Sequence, residues 1–374
     1  MNKKLAIIGA SIVQKPLYQK AKEMRLETHG FAWDKGEDSL CKEFADYYYP
    51  ISIVEKEQIL EKCKEIGIFG VTSIANDSCV PIVSYVAEKM GLPGNSFEDS
   101  LVSTDKYLMR QAFLKNGVNS PRFAIADENM NLTGFTFPLI VKPTDRAGST
   151  GVMKVEKEED LKNAIEQAKK LSFAGKAIVE EYVSGNEATV DMISWQGKHY
   201  PIAISDTETL GGPYYSKIGY HQPTRFSNDI RDKIITEAKK AITSLNIKYG
   251  ASDIEVKVTD GGEVKIIEVN PRMGGDSTET LVRLSTGYDF VKGVINVAMN
   301  QFEEPVLALN KYSGVCFLSK ETEYLKPVME NKENDPDIIT VDIFDNELHY
   351  LQGIAGRSGY FIYQSAQRRD WRKK

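Results

Sequence analysis

Residues 251–276 read ASDIEVKVTDGGEVKIIEVNPRMGGD, and no other stretch limits the fold and chemistry of this chain as much. Two short runs of β-formers, 254–258 and 264–269, flank Gly261-Gly262, and a Gly-Gly pair between such runs signals a tight hairpin. With the two glycines as the loop, Asp260 pairs with Glu263 and Glu255 falls opposite Glu268, with Asn270 on the same face. A four-residue turn shifts the register by one pair and keeps all three side chains together. Directly opposed carboxylates stand about 5 Å apart at Cβ and repel, so a sheet that keeps them needs positive charge between them.

Two carboxylates and an amide, with no His or Cys nearby, suit a hard cation such as Mg²⁺ that shares phosphate oxygens and water. That chemistry points to a nucleotide. The plain alternative makes Asp253, Glu255 and Lys257 the wet face of an amphipathic strand, which fits Glu268 poorly because Ile266, Ile267 and Val269 surround it. In the following Pro271-Arg272-Met273-Gly274-Gly275, a guanidinium and bare backbone can approach one anion together. The plain reading of Arg272 is a surface salt bridge.

At 374 residues and 41% hydrophobic content the chain can bury a large core and divide into two or three domains. Its net charge of -6 provides no general attraction to nucleic acid or anionic membrane. No apolar run approaches the roughly 18 residues that span a bilayer, and the opening apolar run is too short for a secretory signal. Cys41, Cys63, Cys79 and Cys316 lack C-x-x-C spacing and the four His are scattered, which favours a reduced cytoplasmic protein without a zinc site.

The chain opens with an apolar strand, Lys4 to Gly9, but a dinucleotide fold wants G-x-G-x-x-G there and only Gly9 is present. Residues up to Phe97 read as a small α/β domain, in which Ser73 to Asp77 either lines a cleft or is a plain loop. Thr104-Asp105-Lys106 opens a helix that breaks at Asn116-Gly117. The buried-strand run Phe137 to Val141 ends in Lys142-Pro143 and leads into a small-residue loop containing Gly148, Ser149, Thr150 and Gly151. Such a loop can turn backbone N–H groups toward a phosphate while the strand-end Lys adds a point charge. It lacks the G-K-[ST] of a Walker loop, and on its own it could be a hairpin turn. A surface helix over Glu158 to Lys170 precedes a strand ending in Glu180, Glu181, Tyr182 and Val183, after which Glu187 leads into another strand.

Taken in order, Lys106, Lys142-Pro143, the Gly-Ser-Thr-Gly loop, Glu180 to Val183, Glu187, Glu255 and Glu268-Val269-Asn270-Pro271-Arg272 resemble the ATP-grasp superfamily. Within it the chain looks like the carboxylate-amine ligases, including amino-acid ligases related to carbamoyl-phosphate synthase large subunits and D-alanine ligases. The resemblance implies a mixed α/β and α+β fold: a Rossmann-like pre-ATP-grasp domain (1–97), an ATP-grasp domain (98–304, lobes about 120–183 and 184–304) and a small C-terminal α/β domain (305–374). It implies that Lys106 and Lys142 contact the α- and β-phosphates of ATP under a lid formed by the loop around Gly148 to Gly151. Adenine would meet Glu180, Glu181, Tyr182 and Val183, and Glu187 would accept from the ribose hydroxyls. Glu255, Glu268 and Asn270 would hold Mg²⁺, with Mn²⁺ as the alternative. Arg272, Lys142 and Asn270 would serve phosphoryl transfer, with Gly274 and Gly275 offering N–H groups to the same anion. The implied chemistry joins a small-molecule carboxylate to an amine through an acyl phosphate, releasing ADP and phosphate, in a cytoplasmic protein that allows a homodimer.

Gly211 to Pro223 resembles the substrate-side strand of the amino-acid ligases, except that Lys217 stands where an acidic residue is expected. Lys217, His221 and Arg225 together point to an acidic substrate or to a solvated strand face. Asp276 either binds an amine or caps the next helix. Residues 230–245 form an amphipathic helix, and the basic tail Arg368 to Lys374 reads as a frayed, solvated end. Two rival functions remain: an ATP-grasp carboxylase or purine-type ligase, and a nucleotide-binding regulatory protein without turnover. A biotin carrier role lacks its Met-Lys-Met motif.

Overall fold

In the computed structural model, which describes residues 2–212 and 215–371, the opening apolar run forms strand β1 (Lys4–Ile8). It lies inside a parallel sheet between β2 (Glu27–Phe31) and β4 (Gly70–Thr72), with β3 (Tyr47–Tyr49) at the edge beyond β2. Alternation decides where its side chains go. Leu5 and Ile7 join Leu17, Tyr18 and Phe290 on one face, while Ala6 and Ile8 join Ile59, Val71 and Val86 on the other. The helix Phe290–Ala298 is apolar nearly all round because it is wedged between this sheet and Ile193 and Ile202 of the central region.

A second sheet is antiparallel, in the order β5 (Phe123–Ile125), β8 (Ala177–Glu181), β6 (Leu139–Pro143), β7 (Met153–Val155). The helix Glu158–Leu171 lays Leu161, Ala164 and Ala168 against it. The helix Lys106–Lys115 is started by Asp105, whose carboxylate accepts from the N–H groups of Tyr107 and Leu108, both at 2.9 Å. That cap sets Lys106 in the first turn.

The third sheet holds β9 (Asn186–Trp195), β10 (Lys198–Thr209), β11 (Lys217–Gln222), β12 (Gly250–Val258), β13 (Val264–Asn270), β14 (Tyr312–Leu318), β15 (Ile338–Ile343) and β16 (Gly359–Ser365). Its order is β13-β12-β9-β10-β11-β14-β16-β15, so strands from residues beyond 305 extend the central sheet through β11. The helix Asn228–Ser244 packs Ile234, Ala238, Ala241 and Ile242 on Val190, Ile254, Val256 and Ile266 and covers one face. The opposite face carries the polar residues of β9, β12 and β13. No helix of the described residues is long and apolar enough to cross a membrane, and all four cysteines are buried and free.

The β12–β13 hairpin reaches the expected pairing by a different route. Its loop is one residue longer than the Gly-Gly turn: Gly262 N–H donates to Thr259 O at 2.9 Å, Thr259 N–H donates to Glu263 O at 2.9 Å, and Gly262 takes φ +74°. Pairing near the turn is therefore displaced by one, with Val258 opposite Val264. A bulge at Ile267 absorbs the displacement and returns Glu255 to its place opposite Glu268.

The basic tail is not frayed as far as Trp371. Arg368 pairs with Asp206 and donates to Pro223 O at 2.9 Å, Arg369 spans Asp335 (2.7 Å) and Asp337 (2.5 Å), and the Trp371 ring stands edge-on to Phe361. Residues 372–374, also assigned to the solvated end, lie outside the described residues, as do Pro213 and Tyr214 of the substrate-side segment. Asp206 is 2% exposed, so Arg368→Ala should cost about 2 kcal/mol by leaving a buried carboxylate short of a charged partner. Urea unfolding measures this, and an unchanged midpoint would return the tail to a solvated role.

Candidate active site

The polar face of the third sheet is organised in rows. Lys257 stands opposite Glu187, with Nζ and Oε1 3.1 Å apart; Glu255 stands opposite Thr189 and Glu268; Asp253 stands opposite Asp191 and Asn270. Neighbouring rows are two residues apart, about 7 Å along the strands. The middle row is the opposed carboxylate pair, and two ammonium groups offset its repulsion. Lys106 Nζ lies 2.8 Å from Glu268 Oε1, and Lys217 pairs with Glu255. Burial alone would raise the Glu268 pKa, but Lys106 and Lys142 outweigh it and hold the carboxyl below its ordinary value. Burial likewise opposes charge on Lys217, and Glu255 overcomes it, keeping the amine well above its ordinary range.

Beyond the middle row, toward the second sheet, lies a buried charge cluster at the end of β6. Glu180 sits between Lys142 Nζ (2.7 Å) and Arg110 Nε (2.8 Å), and all three are almost fully buried. Glu180 is held below the usual carboxylate range by Arg110 and Lys142 against the opposing effect of burial, whereas burial lowers Lys142. The loop after β6 is anchored by Asp145, which accepts from Phe173 N–H (3.1 Å) and Ala174 N–H (2.7 Å), and by Arg146 stacked over the Phe173 ring. Lys106 Nζ also donates to Arg146 O at 2.7 Å, which ties the loop to the row of opposed carboxylates.

The other end of the rows is built around Arg272. Its Nε and Nη2 fork onto Asp77 at 2.8 and 3.1 Å, while Nη1 donates to Asp253 Oδ2 at 2.7 Å. Ser73 to Asp77 thus does reach the cleft. Burial pushes Asp191 well above the usual carboxylate range, and Asp253 adds to the effect. Gly274 packs closely here: a Cβ on it would stand 2.6 Å from Thr278 Oγ1. Asp276 neither caps the next helix nor stands free, because Arg357 grips it with two contacts at 2.6 and 3.2 Å.

Most expected residues line one cavity of about 410 Å³: Lys106, Lys142, the loop at Gly148 to Thr150, Glu180 to Val183, Glu187, Lys217, Glu255, Glu268, Asn270, Arg272 and Gly274 to Asp276. Gly151 does not. A Cβ there would meet Leu171 and Pro143 at 2.9 and 3.0 Å, so Gly151 marks the base of the loop, where φ is +74°. His221 is buried against Tyr363 and Glu208, and Arg225 is turned toward Asn186 and Asp206, so of the three supposed acid-binding residues Lys217 alone lines the cavity. Sequence reasoning missed Arg110 and Arg357. Arg110 carried one signal, its position one helical turn after Lys106; Arg357 comes from a loop distant in sequence and carried none.

Residues 135–280 match the model of the ATP-grasp domain. The chain carries an ATP-grasp domain. It is similar to alanine–anticapsin ligase of Bacillus subtilis, 26% identical over 310 residues that make up 73% of this chain and 65% of that protein. It is 25% identical over 274 residues to the carbamoyl phosphate synthase large chain of Caldanaerobacter subterraneus, covering 68% of this chain and 24% of that one. The chain therefore spans about 65% or less of the length of these two curated relatives. Among solved structures, an L-amino acid ligase from Bacillus licheniformis has a TM-score of 0.80 at 20% identity, over 98% of this chain and 94% of that one. Phosphoribosylglycinamide synthetase from Anaerococcus prevotii has a TM-score of 0.76 at 23% identity, over 98% and 95%. The two solved structures share the fold of this chain over nearly its whole length, and the ATP-grasp match itself covers residues 135–280.

The ion pairs of this ATP-grasp site lead to two stability predictions. Glu268→Gln strands the Lys106 ammonium, so the variant should be about 3 kcal/mol less stable at neutral pH, contrary to any relief of carboxylate repulsion. Because the folded-state pKa of Glu268 is depressed, its contribution is present above the ordinary carboxylate value and is lost as pH falls through the folded one. The gap between parent and variant should therefore close in acid. Urea unfolding across pH checks this, and a variant as stable as the parent at neutral pH would show that repulsion dominates. Arg272→Lys cannot serve Asp77 and Asp253 together, so it should lose about 2 kcal/mol, where a surface pair would lose under about 1. Its urea midpoint decides between the two.

Proposed function

We propose that the chain is a ligase that phosphorylates a carboxylate with ATP and transfers the acyl group to an amine, forming a C–N bond and releasing ADP and phosphate. The observation that carries this reading is the order of groups along one cavity. Buried lysines and a small-residue loop come first, then opposed carboxylates each paired with a lysine, then a guanidinium fixed on two aspartates beside Gly274. The first group suits phosphates, the second a divalent cation and the third the reacting acid. The relatives alanine–anticapsin ligase and L-amino acid ligase support the same class.

In this reading Lys106 and Lys142 hold the α- and β-phosphates, and the loop Gly148 to Thr150 closes over them. Glu180 acts through Lys142 and Arg110, which leaves the backbone of Glu181, Tyr182 and Val183 and the Tyr182 ring to face adenine, with Glu187 at the ribose. Glu255, Glu268 and Asn270 fit Mg²⁺, or Mn²⁺, because their donors are hard oxygens, and Lys106 and Lys142 hold the Glu268 carboxyl below its ordinary value. Among the described residues no three His, Cys, Asp or Glu side chains converge on a metal position, so phosphate oxygens and water must complete the coordination. When bound, the ion offsets phosphate charge. Arg272, with its fork set by Asp77, orients the acid carboxylate, and the Gly274 and Gly275 N–H groups approach the same anion. Positioning and charge neutralisation supply most of the rate in such a reaction, which asks for few reactive side chains.

The working division into residues 1–97, 98–304 and 305–374 belongs to this proposal, as does a cytoplasmic setting, which the four free cysteines support. The test is ADP release with a panel of carboxylic acids and amines, run with ¹⁸O-labelled acid. Label is expected in the released phosphate, because the acid oxygen that attacks phosphorus leaves with it. Amide formed alongside unlabelled phosphate would rule out the acyl phosphate, and no acid-dependent ADP with any pair would overturn the ligase reading.

A further inference from the structure

The ligase reading leaves the third row of the sheet unassigned. Asp191 on β9 and Asp253 on β12 are cross-strand partners, one row past the metal-type pair and on the side away from the lysine cluster. Both carboxyls line the cavity, and Asp191 is 1% exposed. Arg272 is shared here in an uneven way. Its contacts to carboxylates go to Asp77 and to Asp253 Oδ2, and Asp253 Oδ1 and Asp191 Oδ1 are buried without a hydrogen-bond partner. Buried polar atoms in folded proteins nearly always have partners, and two orphaned carboxylate oxygens on residues that line one cavity point to a ligand that donates.

We propose that Asp191 and Asp253 form the acceptor subsite, which binds the substrate amine as a protonated ammonium group. This rests on the ligase reading and adds to it the chemical class and the place of the second substrate. Directly opposed strand residues stand about 5 Å apart at Cβ, close enough for one ammonium to donate to both carboxyls. Three carboxylates, Asp77, Asp191 and Asp253, share the single Arg272 guanidinium, so a cation entering the row completes its charge. The place fits the sequence of events as well. The row lies about 7 Å from Glu255 and Glu268 along the strands, beside the Arg272 that would hold the acid, so the ammonium there faces the acyl phosphate; it gives one proton to the Asp191 carboxylate, the free amine attacks the acyl carbon, and the C–O bond to phosphate breaks as phosphate leaves. Lys217 occupies the middle row by pairing with Glu255, which keeps a second ammonium out of that row and directs the substrate amine to Asp191.

A competition experiment tests this. The protein is given ATP, Mg²⁺, a panel of carboxylic acids and two kinds of acceptor in one vessel: hydroxylamine, which is uncharged near neutral pH, and the proteinogenic amino acids, which carry an ammonium. Asp191→Asn keeps the shape and removes the charge, so the ratio of hydroxamate to amide should rise about tenfold or more, the loss of one charge-assisted hydrogen bond. The KM for the amino acid should rise while kcat changes less. A ratio does not depend on how much enzyme is folded, and Asp191→Ser provides a second variant read in the same way should the Asn form fail to fold. An unchanged ratio in either variant overturns the subsite. A parent that makes hydroxamate but accepts no ammonium-bearing amine overturns the subsite alone. A parent that makes neither product overturns the ligase reading and the subsite with it.

Discussion

Two glutamates facing each other across a hairpin are the constraint on which the rest of the site depends. Glu255 and Glu268 cannot both stay ionised in a half-buried sheet without compensating charge, and each has drawn a lysine from a different part of the chain. Lys106 comes from the first turn of a helix that Asp105 caps, and Lys217 from the start of β11. The same two contacts place the helix against the hairpin and the far side of the sheet against its centre. Charge compensation here is also a means of assembly.

The pattern repeats at each end of the cavity. Glu180 joins Lys142 of the second sheet to Arg110 of the capped helix, and Arg272 joins Asp77 of the N-terminal region to Asp253 of the third sheet. Asp276 is tied to Arg357 from the C-terminal segment in the same way. Such buried pairs add modestly to stability, because desolvation offsets much of their attraction, yet removal of one member is costly. Their larger effect is geometric. Each pins segments that are distant in sequence, so the cavity wall is drawn from every part of the chain while its side chains stay fixed.

Much of this was legible in the residues. Alternation in 254–258 and 264–269 placed Glu255, Glu268 and Asn270 on one face, and a register set by a buried face survives an error in the loop. The loop was indeed misjudged: Gly261-Gly262 is part of a longer turn, and a bulge at Ile267 restores the pairing. Gly151 was grouped with the phosphate loop on composition, but its missing side chain accommodates Pro143 and Leu171. His221 and Arg225 share a segment with Lys217 and not its surroundings. Residue type and spacing say which groups can do chemistry, but not whether a neighbour has already claimed them.

The sequence by itself determined the strand and helix pattern, the opposed carboxylates and the order of charged groups that marks an ATP-grasp domain. These are local facts, set by periodicity, caps and turn residues within short windows of chain. Only the tertiary structure decided the partners: Asp77 with Arg272, Arg357 with Asp276, Arg110 with Glu180, and Asp191 with an oxygen left unbonded. A charge pair needs proximity and shared burial, and both arise when sheets and helices far apart in sequence close on one cavity.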